Sequence, residues 1–217
     1  MNKIEDDKKR IAKIMEILEK EYPNVKSDLI NTSPFQLLIA TILSAQCTDK
    51  RVNMVTPKLF SEYPTAKELA NAENEDVEEI IFSTGFYKNK AKNIISCSNY
   101  LLENHSGEVP STMEELVKLP GVGRKTANCV LGNYFEPEGI VVDTHVIRIT
   151  NLLGFVKTRN AEAIERYLMK IIDKKYWVNS THYFIRLGRA VCIARRPKCS
   201  ECKIKQYCNN YKENMKL

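Results

Sequence analysis

Hydrophobic residues recur at helical spacing along most of this chain. A first amphipathic helix is predicted over residues 5–21, and Pro23 closes the segment because proline disrupts a continuing helix. The residues of its apolar face are Ile11, Ile14, Met15 and Leu18. Ser33 before Pro34 predicts the start of the next helix, since serine caps a helix N-terminus and proline suits its first position. One buried side of that helix is expected to carry Phe35, Leu38, Ile39, Ile42 and Leu43.

The same periodicity predicts further helices up to the C-terminal region. Their approximate ranges are 50–62, 65–72, 75–83, 88–104, 125–133 and 177–191, the last of these being the final helix expected. Asp143 and Asn160 are favourable caps that predict two more helix starts. Residues 140–142 are β-branched, but we interpret them as a connection into the helix after Asp143 rather than as a strand. The chain is therefore predicted to be all-α.

A glycine-rich turn at residues 119–127, Leu-Pro-Gly-Val-Gly-Arg-Lys-Thr-Ala, joins two of the predicted helices. The first should begin at a capping box formed by Ser111 and Glu114, and it should run up to Pro120. The second should begin directly after the turn, where the alanine, valine and leucine content favours a helix. The functional interpretation of the chain starts from this helix, turn and helix.

The two glycines of the turn, Gly121 and Gly123, can adopt backbone angles that are closed to other residues. Such a turn leaves N–H groups at the start of the second helix, where the helix dipole is positive and Arg124 adds charge. These groups can hold a phosphate without the use of sequence-reading side chains. The alternative is an ordinary helical hairpin, in which the glycines only close the turn.

Composition and charge restrict the class of protein. With 217 residues, 43% of them hydrophobic, the chain can bury a core of its own. No apolar run approaches the roughly 20 residues of a membrane span, and the charged N-terminus is unlike a signal peptide, so a cytoplasmic protein is expected. The net charge is +6, and residues 186–217 carry nine Lys or Arg against two Glu. This concentration suits a polyanion such as DNA, although basic tails are often merely solvated.

Four of the seven cysteines crowd into the basic region and are separated by six, two and five residues. They are Cys192, Cys199, Cys202 and Cys208. Such a group is typical of metal-binding thiolates, and the spacing alone is equally compatible with a tetrahedral zinc and with an iron–sulfur cluster. A rigid metal site would order the loop containing Arg195, Arg196 and Lys198 for contacts with DNA phosphates.

Lys125 and Asp143 are the candidate reacting groups. A carboxylate stabilises positive charge that develops at a reacting carbon, while a neutral amine can attack such a carbon. Because a lysine is almost fully protonated at neutral pH, Lys125 needs help from Arg124, the positive helix end and an expected partial burial. Asp143 could accept its proton. By residue type alone, the alternative is a phosphate-binding lysine and an aspartate that only caps a helix.

Together these features resemble the endonuclease III family within the helix-hairpin-helix DNA glycosylase superfamily. The motifs that carry the resemblance are Ser33-Pro34, Ser44-Ala45-Gln46, the glycine turn, Val-Asp-Thr-His at 142–145 and the four C-terminal cysteines. The resemblance implies a helical domain of residues 27–137 containing the helix-hairpin-helix. A second domain, of residues 1–26 and 138–217, would carry a [4Fe–4S] cluster on the four cysteines, with the DNA cleft between the two domains.

The resemblance also implies an activity, that of a DNA glycosylase and AP lyase working as a monomer. Lys125 would displace the damaged base and form a Schiff base with the sugar, after which elimination cuts the strand, and Asp143 would be its partner. The implied substrates are oxidised pyrimidines and abasic sites in double-stranded DNA, where the base must leave the stack. Gln46 would fill the gap left behind. Phe86 stands where the family has an apolar wedge, usually leucine, and His145 would support the pocket or the DNA.

Several alternatives accompany this interpretation. A mismatch glycosylase acting on uracil or thymine shares the scaffold, as does an adenine glycosylase, although Lys125 and the short chain argue against the latter. A non-catalytic DNA-binding clamp with a zinc site would bind without base release. If Lys125 is not the reacting amine, the N-terminus, Lys88 and Lys90 are the next candidates.

Overall fold

The structure is a computed structural model that describes residues 2–214. All regular secondary structure in this part of the chain is helical, which confirms the all-α prediction. The α-helices are α1 (Lys3–Glu21), α2 (Pro34–Leu43), α3 (Asp49–Glu62), α4 (Ala66–Ala70), α5 (Asn74–Ile81), α6 (Tyr87–His105), α7 (Met113–Leu116), α8 (Arg124–Tyr134), α9 (Thr144–Leu152), α10 (Ala161–Ile171), α11 (Trp177–Ala190) and α12 (Asn209–Asn214). Short 3-10 turns lie at Phe82–Thr84, Lys174–Tyr176, Cys199–Glu201 and Lys205–Tyr207. Among the helices of residues 2–214, none combines the length and the apolar content of a membrane span.

The chain divides into two compact units. Ser27–Glu138 forms one of them, the inserted unit, which contains α2 to α8. Met1–Lys26 and Gly139–Leu217 together form the other, the terminal unit, which contains α1 and α9 to α12. Each unit buries a hydrophobic core of its own.

The inserted unit is built around α2. Phe35 and every residue from Leu37 to Leu43 are buried, so the prediction of a single buried side was too narrow. A helix that is buried all round needs neighbours on every side, and α2 packs against α3, α6 and α8. The one polar member of this stretch, Thr41, donates its hydroxyl to the carbonyl of Leu37 at 2.7 Å, which satisfies it inside the core.

In the terminal unit, α1 packs against α10 and α11 through the four apolar residues that the sequence predicted. Arg10 adds polar bonds to this contact. Its guanidinium donates to the carbonyls of Leu153 at 2.7 Å and Tyr207 at 3.2 Å, and it pairs with Asp7 at 2.9 Å. The N-terminal helix is thus bound both to the end of α9 and to the residue before Cys208.

The predicted helix starts at Ser33, Asp143 and Asn160 are confirmed by side-chain caps. Ser33 accepts a hydrogen bond from the N–H of Gln36 at 3.2 Å, and Asn160 accepts one from Ala163 at 2.9 Å. These caps act within a few residues, which explains why a local pattern predicted them.

The helix before the glycine turn was predicted wrongly at both ends. Its cap is Thr112 rather than Ser111, and the Thr112 hydroxyl accepts the N–H of Glu115 at 3.4 Å. The carboxylate of Glu138 accepts the first N–H of α7 at 3.1 Å. The helix then ends at Leu116, because the chain tightens into three-residue turns before it reaches the proline. A distant carboxylate, absent from the local pattern, therefore helps to set this helix start.

The expectation that α11 is the last helix is also wrong, since α12 follows the cysteines. Gly154, at the end of α9, has a φ of 81°, and a Cβ there would lie 2.2 Å from the side-chain nitrogen of Asn209 in α12. Asn209 also accepts a hydrogen bond from Arg10 at 3.0 Å. These contacts with residues far away in the chain accompany a helix that its own sequence did not indicate.

Candidate active site and metal centre

The glycine turn before α8 uses its two glycines differently. Gly121 has a φ of 78°, and an added Cβ would lie 3.1 Å from Asn93 and 3.3 Å from Ile42. Gly123 has a φ of −104° and a ψ of 177°, which is extended backbone, so the prediction of a special angle there is wrong. No atom outside the adjoining residues lies within 4 Å of the Cβ position at Gly123. Gly121 therefore makes the turn, whereas Gly123 keeps the surface before α8 open.

Lys125 is the second residue of α8, and both Lys125 and Arg124 are exposed. The expected partial burial of Lys125 is therefore wrong. The N-cap residue of α8 is Gly123, which provides no side-chain hydrogen bond to the first turn. An uncapped helix start with two adjacent cations has the composition of an anion-binding site. The start of α8 can accordingly hold a phosphate while it presents an accessible amine.

Asp143 is held in place by the helix that it caps. Its Oδ1 accepts hydrogen bonds from the N–H of His145 at 2.9 Å and of Val146 at 2.8 Å. Upstream, the hydroxyl of Thr181 in α11 donates to the carbonyl of Val141 at 2.7 Å, which ties this connection to the next helix layer. The side chain remains partly exposed. Capping and chemistry are thus compatible, because the bonds that cap α9 also fix the carboxylate.

His145 packs against α11 and is not a simple surface residue. Its Nδ1 lies 3.2 Å from Nη2 of Arg148, and a Cβ at Gly188 would approach that Nδ1 to 2.4 Å. Burial lowers the pKa of His145, an effect that Asp143 opposes and Arg148 reinforces. Arg148 also donates to the carbonyl of Cys192 at 2.9 Å. Arg148 was not predicted from the sequence, although its spacing of three from His145 places both side chains on one face of α9.

Gln46 and Phe86, the two residues expected to enter the DNA, are both exposed and both have left-handed backbone. Their φ values are 52° and 49°, and Phe86 has 65% of its surface exposed. A positive φ is uncommon outside glycine and is an outlier for a bulky residue such as phenylalanine. Strained residues of this kind concentrate at functional sites. This backbone feature had no counterpart in the sequence pattern.

The two lysines named as alternative nucleophiles differ in accessibility. Lys88 is exposed, whereas Lys90 has only 5% of its surface exposed. The Nζ of Lys90 donates to the carbonyl of Thr84 at 2.9 Å. A buried amine that is engaged in this way is not available to attack a sugar, so Lys90 was wrong as an alternative nucleophile.

The four C-terminal cysteines have neighbouring, partly buried thiols. The pKa of the Cys192 thiol is raised to about 11 by burial and by the three other thiols, against the opposing charge of Arg148. Such mutual repulsion requires the sulfurs to lie near one another. Within residues 2–214, no set of three or more His, Cys, Asp or Glu side chains is arranged to hold a single metal ion. Four neighbouring cysteine thiols have the chemistry of iron–sulfur cluster ligands, since such clusters are held by four thiolates.

The segment from Cys192 to Cys208, here called the cysteine loop, is mostly exposed. Ile204 is its one buried residue. Arg195, Arg196 and Lys198 are all exposed in the part between the first two cysteines. A metal centre on the four thiols would therefore order a segment that has little apolar burial and carries three accessible cations.

Comparison with known proteins agrees with this arrangement. Residues 39–174 match the family model of the HhH-GPD superfamily base excision DNA repair proteins. Residues 192–208 match the family model of the iron-sulfur binding domain of endonuclease III. Endonuclease III of Synechocystis sp. is 49% identical over 209 residues, which are 96% of this chain and 95% of that protein.

Two solved structures of endonuclease III with DNA are similar to this chain over nearly its whole length. A non-covalent complex has a TM-score of 0.89 at 41% identity and covers 97% of this chain and 99% of its own. A trapped covalent intermediate has a TM-score of 0.89 at 42% identity, with 96% and 98% covered. The chain belongs to the endonuclease III family of base excision repair enzymes, which are DNA glycosylases with AP lyase activity and carry a [4Fe–4S] cluster.

Proposed function

We propose that this enzyme removes oxidised or ring-fragmented pyrimidines from duplex DNA and then cuts the strand at the abasic site by β-elimination. The observation that carries the proposal is the exposed amine of Lys125, which follows an open glycine turn at an uncapped helix start. A relative with 42% identity has been trapped as a covalent intermediate with DNA, which supports attack by a protein nucleophile. We further propose that the enzyme acts as a monomer in the cytoplasm, with the inserted unit as its helix-hairpin-helix domain and the terminal unit as its cluster domain.

In the proposed reaction, the neutral amine of Lys125 attacks the anomeric carbon of the damaged nucleotide. The bond to the base breaks, and the base leaves with the electron pair and takes up a proton. The Schiff base formed after the sugar ring opens makes the adjacent C–H acidic, so loss of that proton expels the phosphate on the 3′ side. Asp143 stabilises the positive charge on the sugar. Lys125 is exposed, and we assign the acceptance of its ammonium proton to Asp143.

The DNA contacts follow from the same residues. The open surface at Gly123 lets a phosphate approach the N–H groups at the start of α8, where Arg124 adds charge. Gln46 occupies the gap left by the flipped nucleotide, and Phe86 acts as the wedge beside it. His145 supports the pocket from α9.

The cysteine loop has a structural role in this proposal. Its four cysteines are the cluster ligands, and the iron–thiolate bonds hold the loop in one conformation when the cluster is bound. Arg195, Arg196 and Lys198 then meet DNA phosphates from an ordered backbone. Base removal is a substitution at carbon and needs no electron transfer.

Borohydride trapping tests the proposed nucleophile, because reduction converts the Schiff base into a stable covalent bond. The wild-type enzyme should cross-link to duplexes with thymine glycol or an abasic site, and less readily to uracil opposite guanine. Lys125→Gln should bind these duplexes with nearly the original affinity but neither cross-link nor nick them. Lys88→Gln is the matched control, since it removes another exposed lysine and should cross-link normally.

The possible outcomes separate the alternatives. Undiminished cross-linking by Lys125→Gln would assign the nucleophile to another amine. Preference for uracil over thymine glycol would indicate a mismatch enzyme. Asp143→Asn keeps the helix cap but removes the charge, so it should slow base release by a factor on the order of 10² while the fold is retained. Base release within about threefold of wild type would leave Asp143 as a cap alone.

A further inference from the structure

Lys90 is a buried lysine that takes no part in the proposed chemistry. It lies in the first turn of α6, has 5% of its surface exposed, and donates from Nζ to the carbonyl of Thr84 at 2.9 Å. Burying an ammonium group is unfavourable unless its hydrogen bonds and its charge are compensated. A methionine or leucine would fill the same space without that penalty. A buried charge at this position therefore indicates a role in the loop that it contacts.

That loop leads directly into Phe86. The hydroxyl of Thr84 donates to the carbonyl of Ile81 at 2.8 Å, and Gly85 and Phe86 then follow with φ values of 70° and 49°. Glycine adopts a positive φ without strain, but a left-handed phenylalanine is strained, and such backbone persists only where its surroundings hold it. The bond from Lys90 to the Thr84 carbonyl contributes to this, because it fixes the peptide that precedes Gly85 and Phe86.

The second loop expected to enter the DNA contributes to the electrostatics of the same ammonium. Burial lowers the pKa of Lys90, and the thiol of Cys47 partly opposes this shift. Cys47 directly follows Gln46, whose φ is 52°. Lys90, Gln46 and Phe86 all belong to the inserted unit.

We infer that Lys90 is a positioning residue for lesion recognition, whose ammonium holds the Thr84–Phe86 loop so that Phe86 meets the DNA already in its left-handed conformation. This rests on the proposed function, because Phe86 must be the wedge for its position to matter. A loop held in advance loses less conformational freedom on binding, and that advantage applies only where the wedge enters the stack. Undamaged duplex, bound through phosphate contacts, should not depend on it.

Lys90→Met tests the inference, with Lys88→Met as the matched control because it removes an exposed cation of the same helix turn. The measurement is the dissociation constant for thymine glycol duplex and for undamaged duplex at one salt concentration. Lys90→Met should weaken binding to damaged duplex by about tenfold and to undamaged duplex by less than about twofold. Lys88→Met should weaken both equally and slightly. Equal losses on both duplexes for Lys90→Met would show a merely structural lysine and overturn the inference.

A double-mutant cycle with Phe86→Ala connects the effect to the wedge. If Lys90 acts through Phe86, adding Lys90→Met to Phe86→Ala should change damaged-duplex affinity by less than about twofold, whereas independent effects would multiply. If Phe86→Ala lowers the preference for damaged duplex while its effect and that of Lys90→Met on affinity multiply, the inference about Lys90 fails, whereas the proposed wedge stands. If Phe86→Ala leaves the preference unchanged, the proposed wedge fails and the inference fails with it.

Two further variants protect the test against loss of the fold. Lys90→Gln keeps an N–H donor without the charge and is measured by the same criteria if Lys90→Met does not fold. Lys90→Arg keeps both donor and charge and should recover most of the preference for damaged duplex. Failure of Lys90→Arg to exceed Lys90→Gln would show that the charge is not needed, which contradicts the role assigned to the ammonium.

Discussion

The glycine turn, residues 119–127, and the cysteine loop are both proposed to bind DNA phosphates, but different forces hold them. Leu119 and Val122 of the turn are buried in the core of the inserted unit, and Gly121 fits against α2 and α6. The cysteine loop buries Ile204, accepts hydrogen bonds from Arg148 and Arg10 at Cys192 and Tyr207, and otherwise relies on four thiols. Burial of apolar surface therefore shapes the turn before any ligand binds, whereas metal–thiolate bonds must shape the loop. The two proposed phosphate contacts are thus prepared by independent means.

The glycine turn and the cysteine loop should respond most differently to loss of the cluster. Cys202→Ser removes one ligand, so the iron content and the yellow-brown colour should fall and trypsin should cut first at Arg195, Arg196 or Lys198. DNA affinity should drop on the order of 10²-fold, because disordered cations contribute less to phosphate binding. The helical signal of the inserted unit should be retained. Full affinity with no iron would contradict the dependence of the loop on its metal.

Two glycine variants distinguish the residue that shapes the turn, Gly121, from the residue that keeps its surface open, Gly123. Gly123→Ala has room for its Cβ and should leave the free energy of unfolding unchanged. It should nevertheless weaken binding to damaged and to undamaged duplex equally, by about tenfold. Gly121→Ala needs a φ of 78° and a close approach to Asn93, so it should destabilise the enzyme by about 1–2 kcal/mol. Chemical denaturation and duplex binding measure the two effects. A loss confined to damaged duplex would show that Gly123 contacts the lesion instead.

The cations of the cysteine loop can be tested one at a time. Arg195→Ala and Arg196→Ala should each lower affinity by a few-fold and reduce the slope of log affinity against log salt by about 0.9 for each phosphate contact. Lys170→Ala is a control, since Lys170 is another exposed cation of the terminal unit but belongs to α10. A slope that does not change would place these arginines in bulk solvent in the complex.

The smallest expected effect concerns acid stability of the terminal unit. Burial lowers the pKa of His145 below its ordinary 6.5, so protonation favours the unfolded chain. The contribution to stability is complete above that value and is lost as the pH falls below it and through the lower folded pKa. His145→Gln should therefore flatten the pH dependence of the unfolding free energy between about pH 7 and pH 5. An unchanged profile would mean that other groups control acid unfolding.

Local sequence patterns predicted most of the helices, for an identifiable reason. The caps at Ser33, Asp143 and Asn160 bond to N–H groups within about three residues, so the whole interaction lies inside one short segment. The start of α7 was predicted one residue early, because Ser111 and Glu114 have the same spacing as Thr112 and Glu115, and Glu138 supplies part of the cap from 25 residues away. Prediction from sequence therefore succeeded where both partners of an interaction were close along the chain and only one local pattern was present.

The sequence by itself determined the helical class, the set of four cysteines and the presence of a lysine after the glycine turn, because residue identity and short spacing carry that information. Only the tertiary structure decided that Lys125 is exposed, that Lys90 is buried and that Gly123 stands in open space. The tertiary structure also decided that Phe86 adopts a left-handed backbone. Burial, free space and strain depend on neighbours that are distant in the chain. The periodicity of hydrophobic residues does not identify those neighbours.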